Sequence, residues 1–459
     1  MQSPEYEIVD IHQWWRGWRG GNNLPLVDLR SYEDYDERHL SLPSSAVAHH
    51  HADGGAAEND GDDNMRRHAP IVNLPLSSLV SGERSCELPP RHLEFAVLIP
   101  RRFARSFLVD GEEGCAIRRL FFASQSESTM QSRKPWLVRQ VLIDDNDLWN
   151  GASDTGWIRC GSGGGGIDGI PFRRLPRLWK PDPLISSNIL PLLKEWITER
   201  IDPNSVERKE NVSIKSDEIT SKKSLGLVWD LGCGAGRDIC YLAEELKEFQ
   251  HSHLLGQQKQ STRSVHFVGI DNHKGSERRC RQLWKNRGVE DIADSIALDL
   301  NKLHLVRDHL IDPTKLRIQL DPIPDILCIF AIRFLNRKLL SYIANSRNHN
   351  EPVVTNATAT YTIKSKKTLH SLPPPLVLPF GTVIAISHFC KSEEGASWNF
   401  DHPKESNVLE RFELKCLFDN AHENDNNCNE RRWHILKDDL IVDGDHGRTM
   451  IQFIARKMA

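Results

Sequence analysis

The chain has 459 residues, room for two or three domains at about 100–200 residues each. Apolar residues make up 39% and charged residues 27%, and 59 Lys+Arg against 63 Asp+Glu leave a formal net charge of −4. That balance excludes a chain-wide basic field for nucleic acid or anionic lipid and disfavours an RNA substrate, while leaving a local patch open.

No apolar run approaches the ~18 residues of a membrane span. The N-terminus, MQSPEYEIVDIHQWWRGWRG, lacks the apolar core of a secretory leader, and its acids argue against a transit peptide. The 10 cysteines include no C-x-x-C pair, so neither a zinc site nor a disulfide framework is indicated. A reducing compartment is expected, the cytoplasm first and the nucleus as the alternative.

Residues 1–155 read as a first α/β domain. LPLVDL (24–29) is a strand, SYEDYDERHL a helix, FAVLIP (95–100) and WLVRQVLI (136–143) further strands, with a helix near 115–124 between them. Residues 49–68 are polar and acidic and read as a loop. Their His49–His51 and Asp53, Asp60, Asp62 and Asp63 have no fixed ligand spacing, so no metal site is expected. The glycine block GSGGGGIDG places a linker over 156–175.

From 176 to 459 strands and helices alternate. RLWKPDPL is an extended entry to a helix over 184–201. LGLVWDL (225–231), VHFVGID (265–271), SIALDL (295–300), DILCIFAI (325–332) and TVIAISHF (382–389) are strands. The helices are 236–249, 278–288, 334–344 and one near 408–418, and a strand pair, RRWHILKDDLIVD and TMIQFIAR, closes the chain. Apolar strands alternating with helices predict a mostly parallel, doubly wound sheet with an antiparallel edge. Segments 203–224, 251–264 and 346–376 read as polar insertions.

The densest signal is VWDLGCGAGRD (228–238). A strand ends at Asp230, and Gly232, Gly234 and Gly236 alternate before a helix begins. Glycines let a ligand lie against the backbone, and the helix start offers unpaired N–H groups. Asp271 ends the next strand, where a carboxylate can accept from both hydroxyls of a ribose; Asp299 ends the one after. Each alone is as readily a turn or cap residue. A dinucleotide site has G-x-G-x-x-G spacing, whereas here the third glycine comes one residue early.

Over about 175–457 this pattern resembles the class I S-adenosylmethionine-dependent methyltransferases. GCGAGRDICYLA is particularly similar to their tellurite-resistance-type branch. The resemblance implies a seven-stranded sheet whose last strand runs antiparallel to the others, and S-adenosylmethionine as cofactor. It implies that Asp230, Gly232, Gly234 and Gly236 surround the methionine part, that Asp271 holds the ribose diol, and that Asp299 with Leu300 borders the adenine. Ala331 to Arg333 would lie beside the sulfonium.

The AIRFLNRKLL segment lacks the Asn/Asp-Pro-Pro-aromatic string of amino-group methylases of nucleobases. It resembles instead an Arg-Phe-Leu-His-Arg-like string, with Asn336 in place of the His. Arg333 and Arg337 are candidates for an anionic substrate or the cofactor carboxylate, against the alternative of surface ion pairs. An activated methyl asks mainly for alignment, and a thiolate or metalloid anion needs no base. His388 and Ser387 are the weak candidates if one is needed. Cys233 reads as a small apolar filler.

Asp28 and Arg30, the run Glu33, Tyr35, His39 and Leu40, and the Pro-Pro before FAVLIP resemble a rhodanese-like domain over about 5–150. Sulfurtransfer there needs a Cys directly after the strand. The strand runs instead into Pro100, Arg101, Arg102 and Phe103, and neither Cys86 nor Cys115 takes that place. A catalytically silent module is expected, either docking a protein partner or packing as a scaffold. Arg101, Arg102 and Arg105 read as a solvated basic turn in preference to an anion loop.

The expected function is methyl transfer to a small thiol-like or metalloid-like nucleophile, favoured over RNA or protein. The alternative is a regulatory protein that binds the cofactor without turnover. A sulfurtransferase and a nicotinamide oxidoreductase rank below both.

Overall fold

A computed structural model describes residues 6–17, 24–40, 71–91, 93–108, 114–121, 136–154, 158–160, 177–198, 224–256, 263–311, 325–347, 376–419, 432–442 and 447–458. The chain divides into two units, Met1–Lys180 and Pro181–Ala459. The loop expected at 49–68, the glycine run after 160 and most of 203–224 and 346–376 lie outside the described residues.

In the first unit β1 (Glu7–Ile8), β2 (Leu26–Asp28), β4 (Ile71–Asn73), β5 (Glu94–Ile99) and β6 (Leu137–Ile143) form a parallel sheet in the order β1-β6-β5-β2-β4. Side chains alternate between its faces. Val27, Leu29, Val97 and Ile99 enter one core cluster, and Leu26, Ala96 and Leu98 the other.

The helix expected over SYEDYDERHL is shorter than its acidic run. The helix spans Tyr32–Glu37, with Ser31 as its N-cap. Arg38–Leu40 is instead a strand, β3, antiparallel to β7 (Ile158–Cys160). A strand thus occupies the stretch expected as a linker from 156. Pro181, rather than residue 176, starts the second unit.

Arg101, Arg102 and Arg105 do not form a turn. They lie on a helix, Arg101–Leu108, that starts directly after β5, and all three are exposed.

In the second unit a π-helical turn, Ile185–Ile189, leads into a helix over Leu190–Thr198. Strands and helices then alternate: β8 (Ser224–Leu231), the helix Arg237–Gly256, β9 (Arg263–Asp271), the helix Ser276–Asn286, β10 (Ala293–Ala297), the helix Leu303–Ile311, β11 (Asp325–Ile332), the helix Arg337–Ala344, β12 (Val383–Phe389), the helix Glu413–Asp419, β13 (Trp433–Val442) and β14 (Thr449–Lys457). The seven strands run in the order β10-β9-β8-β11-β12-β14-β13. Every pair is parallel except those made by β14, which is antiparallel to both β12 and β13. The antiparallel strand is therefore inserted beside β12, and its hairpin partner forms the edge.

The helix after β8 continues through Gly256, into a segment expected as an insertion. β10 ends at Ala297, short of Asp299.

Both faces of the sheet are buried. Leu227, Trp229 and Leu231 join Val268, Ile270, Ile329 and Ile386 in one core cluster, and the alternate residues Val228, Phe267 and Phe330 are buried as well. Burial on both sides explains why these strands read as near-continuous apolar runs.

The order of strands reverses between β8 and β11. In open α/β sheets the crevice at the carboxyl ends beside that reversal is where ligands bind. The glycine loop leaves β8 at this point.

Candidate functional site

The loop is built around three left-handed glycines: Gly232 (φ 81°), Gly234 (φ 58°) and Gly236 (φ 71°). Their reasons differ. A Cβ on Gly232 would stand 2.5 Å from the Phe334 ring, and one on Gly236 would stand 2.8 Å from the Trp284 ring. A Cβ on Gly234 would meet nothing within 4 Å. Gly232 and Gly236 thus allow close packing, while Gly234 turns its bare Cα toward open space.

Backbone bonds fix the loop. The Gly232 and Cys233 N–H groups donate to the Ile270 carbonyl at 2.8 and 3.1 Å, and Gly236 N–H donates to the Cys233 carbonyl at 2.8 Å. Trp284 Nε1 donates to the Gly236 carbonyl at 2.9 Å.

Asp271, at the end of β9, joins the loop directly. Its Oδ2 accepts from Gly234 N–H at 2.8 Å and its Oδ1 from His273 N–H at 2.6 Å. Each carboxylate oxygen keeps a lone pair for a further donor. Asp230 and Asp271 therefore flank the loop, as their places at neighbouring strand ends predict.

Asp230 is 3% exposed. Burial, with Asp238, Cys280 and Asp271 nearby, raises its pKa well above the carboxylate range, and no hydrogen bond offsets the effect. Asp238, in the first turn of the following helix, is pushed up to about 6 by burial and by Asp182, against the lowering influence of Arg333. Asp182 comes from far upstream in the sequence. Its N–H donates to Asp238 Oδ1 at 3.3 Å, and its carboxylate accepts from Leu184 N–H at 2.9 Å and from Ser387 Oγ at 3.0 Å.

The loop is thus ringed by Asp182, Asp230, Asp238 and Asp271, and burial with like-charged neighbours favours the protonated forms of Asp230 and Asp238. The sequence signal for Asp182 was the Pro-Asp-Pro string at 181–183; nothing in it reveals the partner. Ser387 is tied to Asp182 and is no free hydroxyl.

Other expected site residues are placed differently. Asp299 lies in the turn beyond β10. Its Oδ1 accepts from the backbone N–H and from the side-chain Nδ2 of Asn301, both at 3.0 Å, which lowers its pKa. Leu300 points its side chain into the core, and its carbonyl accepts from Asn336 Nδ2 at 3.2 Å. Asn336 also caps the helix after β11 through Leu339 N–H, so it ties two strand-end loops together. Ala331 is buried in β11 opposite Ile386.

Arg333 follows β11 with a left-handed backbone (φ 54°), unusual for a side-chain-bearing residue, and its N–H donates to the Ser387 carbonyl at 2.7 Å. Arg337 is a structural clamp. It pairs with Glu413 and donates to the carbonyls of Ser406 and Val408 at 2.8 and 2.7 Å.

His388 is 3% exposed. Its Nε2 meets the Asn407 carbonyl at 2.7 Å, and its Nδ1 is buried with no hydrogen-bond partner. Burial lowers its pKa, which fits a neutral core histidine. Cys233 Sγ lies 3.7 Å from Cys280 Sγ; that contact and burial push its thiol up.

Among the described residues no three His, Cys, Asp or Glu side chains gather as a metal site, and no helix is long and apolar enough to cross a membrane.

No protein-family model matches the chain, and no curated protein sequence matches it. Solved structures similar to it include a SAM-dependent methyltransferase from Aquifex aeolicus (14% identity, covering 60% of this chain and 99% of that one, TM-score 0.26). TehB from Haemophilus influenzae (15%, 50% and 57%, 0.26) and the [4+2]-cyclase SpnF (12%, 52% and 76%, 0.30) are others. Likeness this distant assigns no activity.

Proposed function

We propose that the second unit binds S-adenosylmethionine on the glycine loop and transfers its methyl group to a small nucleophile, thiol-like or metalloid-like in preference to RNA or protein. The observation that carries this reading is the carboxylate ring around a loop whose central glycine, Gly234, faces open space. A ligand that brings positive charge would favour the ionised forms of Asp230 and Asp238, whose pKa values burial has raised. S-adenosylmethionine carries an ammonium and a sulfonium; a dinucleotide would bring a diphosphate against the same carboxylates, an arrangement that Coulomb repulsion disfavours.

The residues present fit the cofactor. Asp230 would meet its amino-acid part, with Gly234 giving the backbone the close approach, Asp271 the ribose hydroxyls, and the turn at Asp299 the adenine edge. When bound it would supply a methyl group activated by the sulfonium. The protein would align the acceptor at the ends of β11 and β12 and keep water out, and a thiolate acceptor needs no base from the chain. The buried, neutral His388 suits that economy.

For the first unit we propose a rhodanese-like module without sulfurtransfer, which serves as a docking or packing domain. The parallel sheet and the Asp28–Arg30 pair are in keeping with it. For the compartment we propose the cytoplasm, with the nucleus as the alternative.

The test is calorimetric titration of the full chain with S-adenosylmethionine and S-adenosylhomocysteine, with NAD as control. Binding of the sulfur ligands and not of NAD is expected. Binding without any turnover of a labelled methyl group would favour the regulatory alternative, and binding of NAD alone would overturn the reading.

A further inference from the structure

At the amino ends of its parallel strands, away from the glycine loop, the second unit has a cavity of about 390 Å³. Its walls come from the helix Leu190–Thr198, the starts of β11 and β12, and the end of β14. Asp325 stands opposite Gly226 of β8, and Arg456 opposite Val383 of β12. At the ~3.3 Å rise per strand residue, Gly226 lies roughly 20 Å from Gly232 and the loop.

Gly226 shapes the floor. A Cβ there would stand 2.2 Å from Leu327 Cδ1 and 3.1 Å from Trp196 Cη2, so its bare Cα lets both side chains lie close over β8. The Trp196 ring is held by Arg263, whose guanidinium is 5.1 Å from the ring centroid and donates to the Trp196 carbonyl at 2.7 Å. Phe380, in the turn before β12, is 67% exposed. Both rings line the cavity, and among the described residues neither makes a contact with another ring. Two separate rings on one cavity leave faces that a third ring can cover.

Three exposed charges line the same cavity: Glu195, Asp325 and Arg456. Among the described residues none of the three forms an ion pair or a side-chain hydrogen bond. They surround the cavity without neutralising one another. An apolar lining with a few placed polar groups, in a volume at the lower end of the ~300–1,000 Å³ of ligand pockets, suits a small molecule.

We infer that this cavity is a binding site for a free aromatic amino acid. Its ring would lie against Trp196 and Phe380, its ammonium would meet Glu195 and Asp325, and its carboxylate would meet the Arg456 fork. A plain arylamine would leave the guanidinium unused, and an aryl acid would leave both carboxylates unused. The site does not rest on the cofactor reading.

Calorimetric titration of the full chain with L-tryptophan, with and without saturating S-adenosylhomocysteine, tests it. Binding of one L-tryptophan per chain is expected, with the same affinity in both conditions. Tryptamine and indole-3-propionate each lack one charge and should bind roughly tenfold or more weakly. Arg456→Gln should weaken L-tryptophan roughly tenfold and leave tryptamine unchanged. The double variant Glu195→Gln, Asp325→Asn should weaken L-tryptophan and tryptamine but not indole-3-propionate. These side chains are exposed and unpaired, so the melting points of the variants should match wild type. Absence of L-tryptophan binding at millimolar concentration by the folded chain overturns the site. Displacement of L-tryptophan by S-adenosylhomocysteine places it on the glycine loop instead, and equal affinity for the three indoles overturns the role of the charges.

Discussion

Gly234 and Gly236 differ by two positions and should fail in opposite ways. Alanine at either takes on the left-handed strain of a Cβ, about 1–2 kcal/mol. At Gly236 the new methyl also stands 2.8–2.9 Å from Trp284 Cζ2, Cε2 and Nε1, and Trp284 is fully buried. Overpacking adds about 1–3 kcal/mol, so Gly236→Ala should lose roughly 2–5 kcal/mol of stability. At about 2–4 °C per kcal/mol in a domain of this size, its melting point should fall by roughly 5–20 °C. Gly234→Ala meets no neighbour within 4 Å and should melt only a few degrees below wild type. Its methyl fills the open side of the loop, however, where a ligand would make the contact; the same overpacking range then acts on affinity and predicts a loss of roughly five- to a hundredfold. Thermal melts and calorimetric titration of S-adenosylmethionine on both variants separate the effects. Wild-type affinity in a folded Gly234→Ala protein would falsify the assignment of the loop as the ligand face.

Asp271→Ala removes a carboxylate expected to accept two ribose hydroxyls; at about 1.5–3 kcal/mol for each hydrogen bond to a charged group, affinity should fall roughly a hundredfold or more by titration. Acidification should weaken cofactor binding between about pH 7 and pH 5, because Asp238, with its pKa near 6, takes up a proton and ceases to attract a cation; affinity that rises on acidification would refute this. Apo stability should rise as pH falls from about 6 toward 4: the raised pKa values of Asp238, about 6, and of Asp230 and Asp28 let the fold take up protons first, partly opposed by His266, whose pKa, lowered to about 4 by burial, withdraws stability as pH falls from 6.5 toward 4. His266→Phe should steepen this slope, with melting points that drop as pH rises from about 4 to 6. Asp28→Ala leaves the Arg30 guanidinium, 1% exposed and paired at 2.6 Å, buried without its partner. It should cost about 3–5 kcal/mol, read as loss of the first unit's melting transition.

The strands of the second unit were legible because both faces of the sheet are buried and each strand becomes an apolar run that needs no partner to be recognised. The glycine loop was legible because its three glycines, its strand and its helix are adjacent in sequence. Boundaries were less so. β10 stops at Ala297, where pairing with Asp271 ends, although ALDL continues the same apolar rhythm. In the first unit RHL looked like the end of an acidic helix, and only a strand more than a hundred residues away, Ile158–Cys160, turned it into β3.

The chemistry of the site depends on contacts of that second kind. Asp230, Asp238 and Asp271 all lie within the motif and its next strand, yet their mutual crowding follows from how β8, β9 and the intervening helix pack. Asp182 arrives from a segment before the sheet begins, and Ser387 from its fifth strand. Arg333 and Arg448 are separated by two strands, β12 and β13, and reach the same Phe389 ring only because β14 is inserted antiparallel beside β12, which brings the start of one strand to the end of the other. A local motif can say that a ligand lies against the loop. The side chains that surround the loop are assembled by the sheet order, with Asp182 held by Ser387 of β12 and Asp271 by Gly234 N–H, and neither contact is written in the motif.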